Sequence, residues 1–341
     1  MMSIPTTARA SVSALALGVL LSACGKGTPL TSGTATPPPP FVPKVTSEYA
    51  IPTASSQPVG IVTGSDFNLW FTEFRASKIG QLNTSAKFTE NVTPTANAGP
   101  NGIASGPNKL LWFTETSVWK IGQITLGSTP TFTDFLLPNP AARPMGIALG
   151  SDGDMWVTDP GTDSIWRIDQ RGNATFCKVR VGAQPLGITS GPDGAMWFTE
   201  PGTNSIGRLP VSKLCSRLVE FAIPTSKSGP TGIAAGTDNA LWFTERSTQK
   251  LGRISLTGQF TEYPLTGSKT PDAVIQGIDG NFYFTDTAGN QMGQFLFKNQ
   301  KVKFFAVPTA NAQPTALTLG PDSEIYFTET GADKLAQFKY F

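Results

Sequence analysis

Chemistry in this chain would sit at fourteen positions that flank seven prolines, Pro58, Pro100, Pro144, Pro185, Pro230, Pro271 and Pro314. The residues just after them are Val59, Asn101, Met145, Leu186, Thr231, Asp272 and Thr315; those just before are Gln57, Gly99, Arg143, Gln184, Gly229, Thr270 and Gln313. Asp272 is the one acid of the fourteen and Arg143 the one fixed positive charge. Histidine, whose ordinary pKa suits acid–base work near neutrality, is absent from all 341 residues. Any proton transfer therefore falls to a carboxylate, and Asp272 is the candidate. A guanidinium beside it, with Arg143 as the candidate, would lower its pKa and weaken it as a base. Asn101, Met145 and Trp119, a tryptophan outside the repeat pattern, complete the candidate ligand-binding set. An amide, a thioether and an indole recognise ligands rather than break bonds.

A second set of acids recurs with strict spacing: Glu73, Glu115, Asp159, Glu200, Glu245, Asp286 and Glu329, each three residues after an aromatic. A ring of acids would hold a cation. Alternatively, each acid accepts hydrogen bonds from backbone N–H groups of the tight loop that follows it. The second reading is preferred, because a residue repeated sevenfold is explained by structure repeated sevenfold. No metal ligand set is assigned from spacing.

These positions need a scaffold, and the sequence writes it seven times. Each proline is followed six residues later by glycine, from Gly64 to Gly320, and then by an aromatic: Trp70, Trp112, Trp156, Trp197, Trp242, Tyr283 or Tyr326. The prolines stand 41 to 45 residues apart, the period of four-stranded propeller blades. Within a copy, a proline-led strand, a turn such as Gly191-Pro192-Asp193-Gly194 and an apolar strand such as Met196-Trp197-Phe198 form a hairpin. Third strands of the Ser205 to Leu209 type and fourth strands of the Phe260 to Pro264 type follow. The expectation is an all-β, seven-bladed propeller with four-stranded blades. Residues 46–52 form a fourth-type strand with no partners before it, and the chain ends just after a third-type strand. Pairing 46–52 with 334–341 would close the ring and remove two open sheet edges. Trp166 stands where other copies carry glycine and is expected to fill space between blades.

Composition narrows the function. The net charge is +2, and the 26 Lys and Arg are dispersed, so the basic stripe a nucleic acid requires is missing. Residues 1–23 read as a signal peptide: Arg9, an apolar stretch from Ser11 to Leu21, then Leu21-Ser22-Ala23 before Cys24. The apolar stretch is too short to span a bilayer, and Leu21 to Cys24 resembles a bacterial lipoprotein box. That resemblance implies lipid on Cys24, attachment to the cell-envelope membrane, and the outer membrane in a two-membrane bacterium, since Gly25 follows. Residues 24–45 then form a Pro, Thr and Gly-rich tether, leaving 46–341 as the propeller. Cys177 and Cys215 are either a disulfide, as export permits, or two separate thiols. The protein is expected to be a monomer.

The units Pro230 to Gly236, Leu241 to Glu245 and Leu251 to Ile254 resemble those of the streptogramin B (virginiamycin B) lyases, and the likeness covers about residues 46–341. The resemblance implies a seven-bladed propeller and a magnesium-assisted elimination that opens a cyclic depsipeptide antibiotic at its ester. It also implies catalytic histidines at positions after the opening prolines, with a nearby glutamate. This chain carries no histidine, and no glutamate precedes those prolines. No catalytic residue is carried over, and no cofactor is expected, because nothing here matches the magnesium site. The leading expectation is a binding module for a small ligand or an envelope protein. The alternatives are a divergent lyase, a metal-dependent lactonase-like enzyme, and a purely structural envelope component.

Overall fold

The computed structural model describes residues 41–212 and 215–341. The signal segment, Cys24 and the tether as far as residue 40 lie outside the described residues. From Lys44 to Lys339 the chain builds seven four-stranded antiparallel sheets. In blade one the strands are Pro58–Thr63, Leu69–Glu73, Lys78–Leu82 and Phe88–Val92, hydrogen-bonded in that order from the centre outward. The innermost strands of successive blades touch all the way round, and Pro58–Thr63 meets both Pro100–Ser105 and Pro314–Leu319. The fold is the seven-bladed propeller that the repeat predicts.

Ring closure follows the expected pairing, with shifted ends. Lys44–Ala50 pairs antiparallel with Lys334–Lys339, setting Glu48 opposite Ala336 and Tyr49 opposite Leu335. The strand stops before residue 52 because the Ile51 N–H turns to the Asp333 carbonyl at 2.9 Å and Pro52 has no N–H to offer. Asp333 then accepts the backbone N–H groups of Ser55 and Gln57 at 2.7 and 2.9 Å, locking the last blade onto the first.

The second strands are buried along their whole length, as Leu69–Glu73 illustrates, since both faces meet neighbouring blades. Phe71 lies over Gly80, where an added Cβ would approach the ring to 2.1 Å. Blade three reverses the sizes: Val157 takes the aromatic place and Trp166 the glycine place. Trp166 is buried in the cluster shared by blades two and three, as expected of a space filler. The turn aspartates anchor the aromatics, with Trp197 Nε1 donating to Asp193 at 3.0 Å and Tyr283 Oη to Asp279 at 2.8 Å. In blades three and four the ladder begins at Ile147 and Ile188, three residues after the prolines. The N–H groups of Met145 and Leu186 nevertheless reach the carbonyls of Thr158 and Thr199 at 2.9 and 3.0 Å.

Candidate ligand-binding site at the channel mouth

One threonine per blade sets the rim of the central channel. In blade one the Thr72 hydroxyl accepts the Gly60 N–H at 2.8 Å and donates to the Asn101 carbonyl of the next blade at 2.7 Å. Thr114, Thr158, Thr199, Thr285 and Thr328 bridge in the same way to Met145, Leu186, Thr231, Thr315 and Val59, and Thr244 bridges to Asp272. Each hydroxyl therefore fixes the backbone of the residue after the next blade's proline. In the five blades that keep Pro-x-Gly the backbones pack closely at that glycine, while blades six and seven carry Ala273 and Ala316 there. A Cβ on Gly60 would come within 2.4 Å of the Asn101 carbonyl, and one on Gly102 within 2.3 Å of that of Met145.

The result is a cavity of about 350 Å³ at the channel mouth, lined by all seven residues that follow the prolines: Val59, Asn101, Met145, Leu186, Thr231, Asp272 and Thr315. Asn101, Met145 and Asp272 of the candidate set are thus brought together. Arg143 and Trp119 are not among the lining residues. The Arg143 N–H caps Asp159 at 2.8 Å, and its guanidinium folds back onto the Ala142 carbonyl at 2.7 Å. Trp119 sits in a left-handed turn, φ 46°, and packs its ring against the cluster of Trp112, Ile121 and Leu137.

The counter-charge of Asp272 is instead Arg246, which lines the cavity with Nη1 3.5 Å from Asp272 Oδ2. It stands directly after Glu245. The equivalent positions in the other copies, Phe74, Thr116, Pro160, Pro201, Thr287 and Thr330, are uncharged, and that contrast was the available signal. Thr287 adds a hydroxyl 3.5 Å from the same carboxylate oxygen. The expected lowering of the Asp272 pKa is reversed. Burial pushes the carboxyl above its ordinary range and prevails over Arg246, Thr231 and Thr287, which pull it down.

Magnesium takes near-octahedral oxygen ligands, commonly one or two carboxylates. Asp272 is the one carboxylate lining the cavity, and it already faces a guanidinium. Among the described residues no group of three or more His, Cys, Asp or Glu is placed to hold a metal ion. The donor set at this mouth does not fit magnesium.

The seven repeated acids divide. Asp159 and Asp286 accept loop N–H groups as expected, Asp159 from Arg143 and Gly161 and Asp286 from Thr270 and Gly289. The five glutamates do not. Glu73, Glu115 and Glu329 have both carboxyl oxygens buried without a hydrogen-bond partner, while Glu200 and Glu245 each bond one threonine hydroxyl. Cys177 is buried and Cys215 exposed, both as free thiols. Cys215 Sγ lies 3.5 Å from the Phe176 carbonyl, beside Cys177, whose thiol is pushed up to about 12 by burial and then by Cys215.

Fold and site define a class: seven-bladed propellers that carry their variable chemistry at one mouth of the channel. The virginiamycin B lyase family model matches residues 42–217 and 214–340, and the chain belongs to that family. Among solved structures, a streptogramin B lyase is 33% identical, with a TM-score of 0.81 over 86% of this chain and 96% of that one. Virginiamycin B lyase from Staphylococcus aureus is 32% identical over 86% of this chain and 99% of its own, also at 0.81. The same figures hold for a catalytically inactive histidine-to-alanine variant of that lyase, solved with quinupristin. No curated protein matches the chain.

Proposed function

We propose that this chain is a non-catalytic, ligand-binding member of the family, carried on the bacterial cell envelope by lipid on Cys24. The observation that carries the reading is the composition of the channel mouth. One carboxylate–guanidinium pair, Asp272 and Arg246, stands among Val59, Met145, Leu186 and the short polar side chains of Asn101, Thr231 and Thr315, in a chain without histidine. An apolar wall with a few placed polar groups is the make-up of a recognition site. The ligand is amphipathic, its apolar body against Val59, Met145 and Leu186 and its polar groups at Asp272 and Arg246. Cyclic depsipeptides of the quinupristin kind are the first class to test. The reading takes no magnesium and no nucleic acid, and it treats the protein as a monomer.

One observation favours a second reading, a divergent lyase. Burial raises the Asp272 pKa, which makes its carboxylate a stronger base than an exposed aspartate. In an elimination it would take the proton from the carbon next to the ester-bearing carbon. A double bond forms there as the C–O bond breaks, and the carboxylate leaves. Equilibrium dialysis with quinupristin, together with mass spectrometry of the recovered antibiotic, separates the two readings. Binding that Asp272→Asn weakens about tenfold, with the ring intact, supports the module. A linear product of unchanged mass supports the lyase, and a failure to bind removes this ligand class.

A further inference from the structure

The five repeated glutamates are accompanied by a second acid from the outermost strand of the same blade, and the two repeated aspartates are not. Across from Gly80, Gly122, Gly207, Gly252 and Ala336 stand Glu90, Asp134, Glu220, Glu262 and Glu48. In the aspartate blades the same places hold Phe176 and Phe304. The inner acid is thus Glu where an outer acid faces it and Asp where a phenylalanine does.

Each outer acid also has one cation. Lys78 lies 3.6 Å from Glu90, Lys120 3.3 Å from Asp134, Lys250 3.7 Å from Glu262 and Lys334 3.6 Å from Glu48, while Arg180 lies 2.9 Å from Glu220. Two carboxylates and one cation leave each cluster one negative charge in excess, and the inner glutamate is 0% exposed in all five blades. Orphan oxygens occur on both sides of the contact: Glu73 with Glu90, Glu115 with Asp134, Glu245 with Glu262. Two carboxylates cannot satisfy each other, because neither donates. A proton on one of them supplies the donor and cancels the excess charge.

We propose that each of these five glutamates shares a single proton with the acid opposite it, so that at mildly acidic pH the propeller holds five structural protons and weakens as they leave. Burial first, and the facing acid next, push Glu73, Glu200, Glu245 and Glu329 up to about 8 and Glu115 up to about 7. Glu115 faces an aspartate, one methylene shorter. The cations named above pull the other way in all five blades, and at Glu73 Asp333 adds to the rise. The unfolded chain releases each proton near 4.5, whereas the folded chain keeps it to about 8, or to about 7 at Glu115. Stability from the pairs is therefore complete below pH 4.5 and lost as pH rises through about 7 at Glu115 and about 8 at the other four.

The test counts protons. The purified chain is unfolded in unbuffered urea at about pH 6, above the ordinary glutamate pKa, with a pH indicator reading the protons released. Glu73→Gln, whose amide still donates to Glu90, releases one proton fewer than the wild type. An equal count overturns the proposal. Should the variant fail to fold, difference infrared spectra of the wild type decide. A protonated-carboxyl band that persists at about pH 6 and fades as pH passes through about 8 upholds the shared protons, and its absence at that lower pH overturns them.

Discussion

Trp112 brings its indole N–H into the core with no partner, unlike its counterparts in the other blades. Trp70, Trp156, Trp197 and Trp242 donate to an aspartate four residues earlier, and at that place blade two carries Asn108. The Asn108 amide turns outward, to Gln170 at 2.9 Å. Asn108→Asp gives the indole a charged acceptor, and urea unfolding is expected to show a gain of about 1 kcal/mol, the usual net worth of a hydrogen bond. The same scale explains Asp272. Sequence alone showed the acid but not its partner, because Arg246 comes from a neighbouring blade, 26 residues earlier in the chain. Arg143, nearer in kind than in space, spends its N–H on Asp159.

Between residues and ring, the threonine bridges carry the inter-blade order. Thr72→Val keeps the shape but strands the Gly60 N–H and removes a donor from the Asn101 carbonyl. The expected loss is about 1–3 kcal/mol in urea unfolding, with a looser channel mouth reported by faster amide exchange at Gly60. The cysteines belong to the same scale. We propose that Cys177 and Cys215 pair in an oxidising envelope, joining the outer strand of blade three to the loop before that of blade four. A free-thiol count of the unreduced protein is expected to find neither thiol, and both thiols free would contradict the pairing. Much of this level was legible in the sequence. The opening prolines, the turn glycines and the second-strand aromatics report local geometry, and they fixed the blades and the seven lining residues. The acid pairs were not legible, because what Glu73 meets depends on Glu90 in a strand two places away. The threonine before each repeated acid was visible in every copy, but its bridging role is a contact between blades.

At the scale of the whole molecule, closure by Lys44–Ala50 makes the ring one cooperative object. Its last blade is completed by the strand that also supplies Glu48 to the Glu329 pair. The scaffold is intact all the way round, yet the mouth carries Asp272 and Arg246 where the family resemblance implies histidine chemistry. A complete scaffold with altered chemistry is the basis for reading the chain as a binding module. The measurement that tests this most directly is incubation of the purified protein with quinupristin and magnesium, followed by liquid chromatography and mass spectrometry. The account predicts an antibiotic recovered with its mass, retention and fragmentation unchanged. A product of the same mass with a shifted retention time and linear-peptide fragments would contradict it.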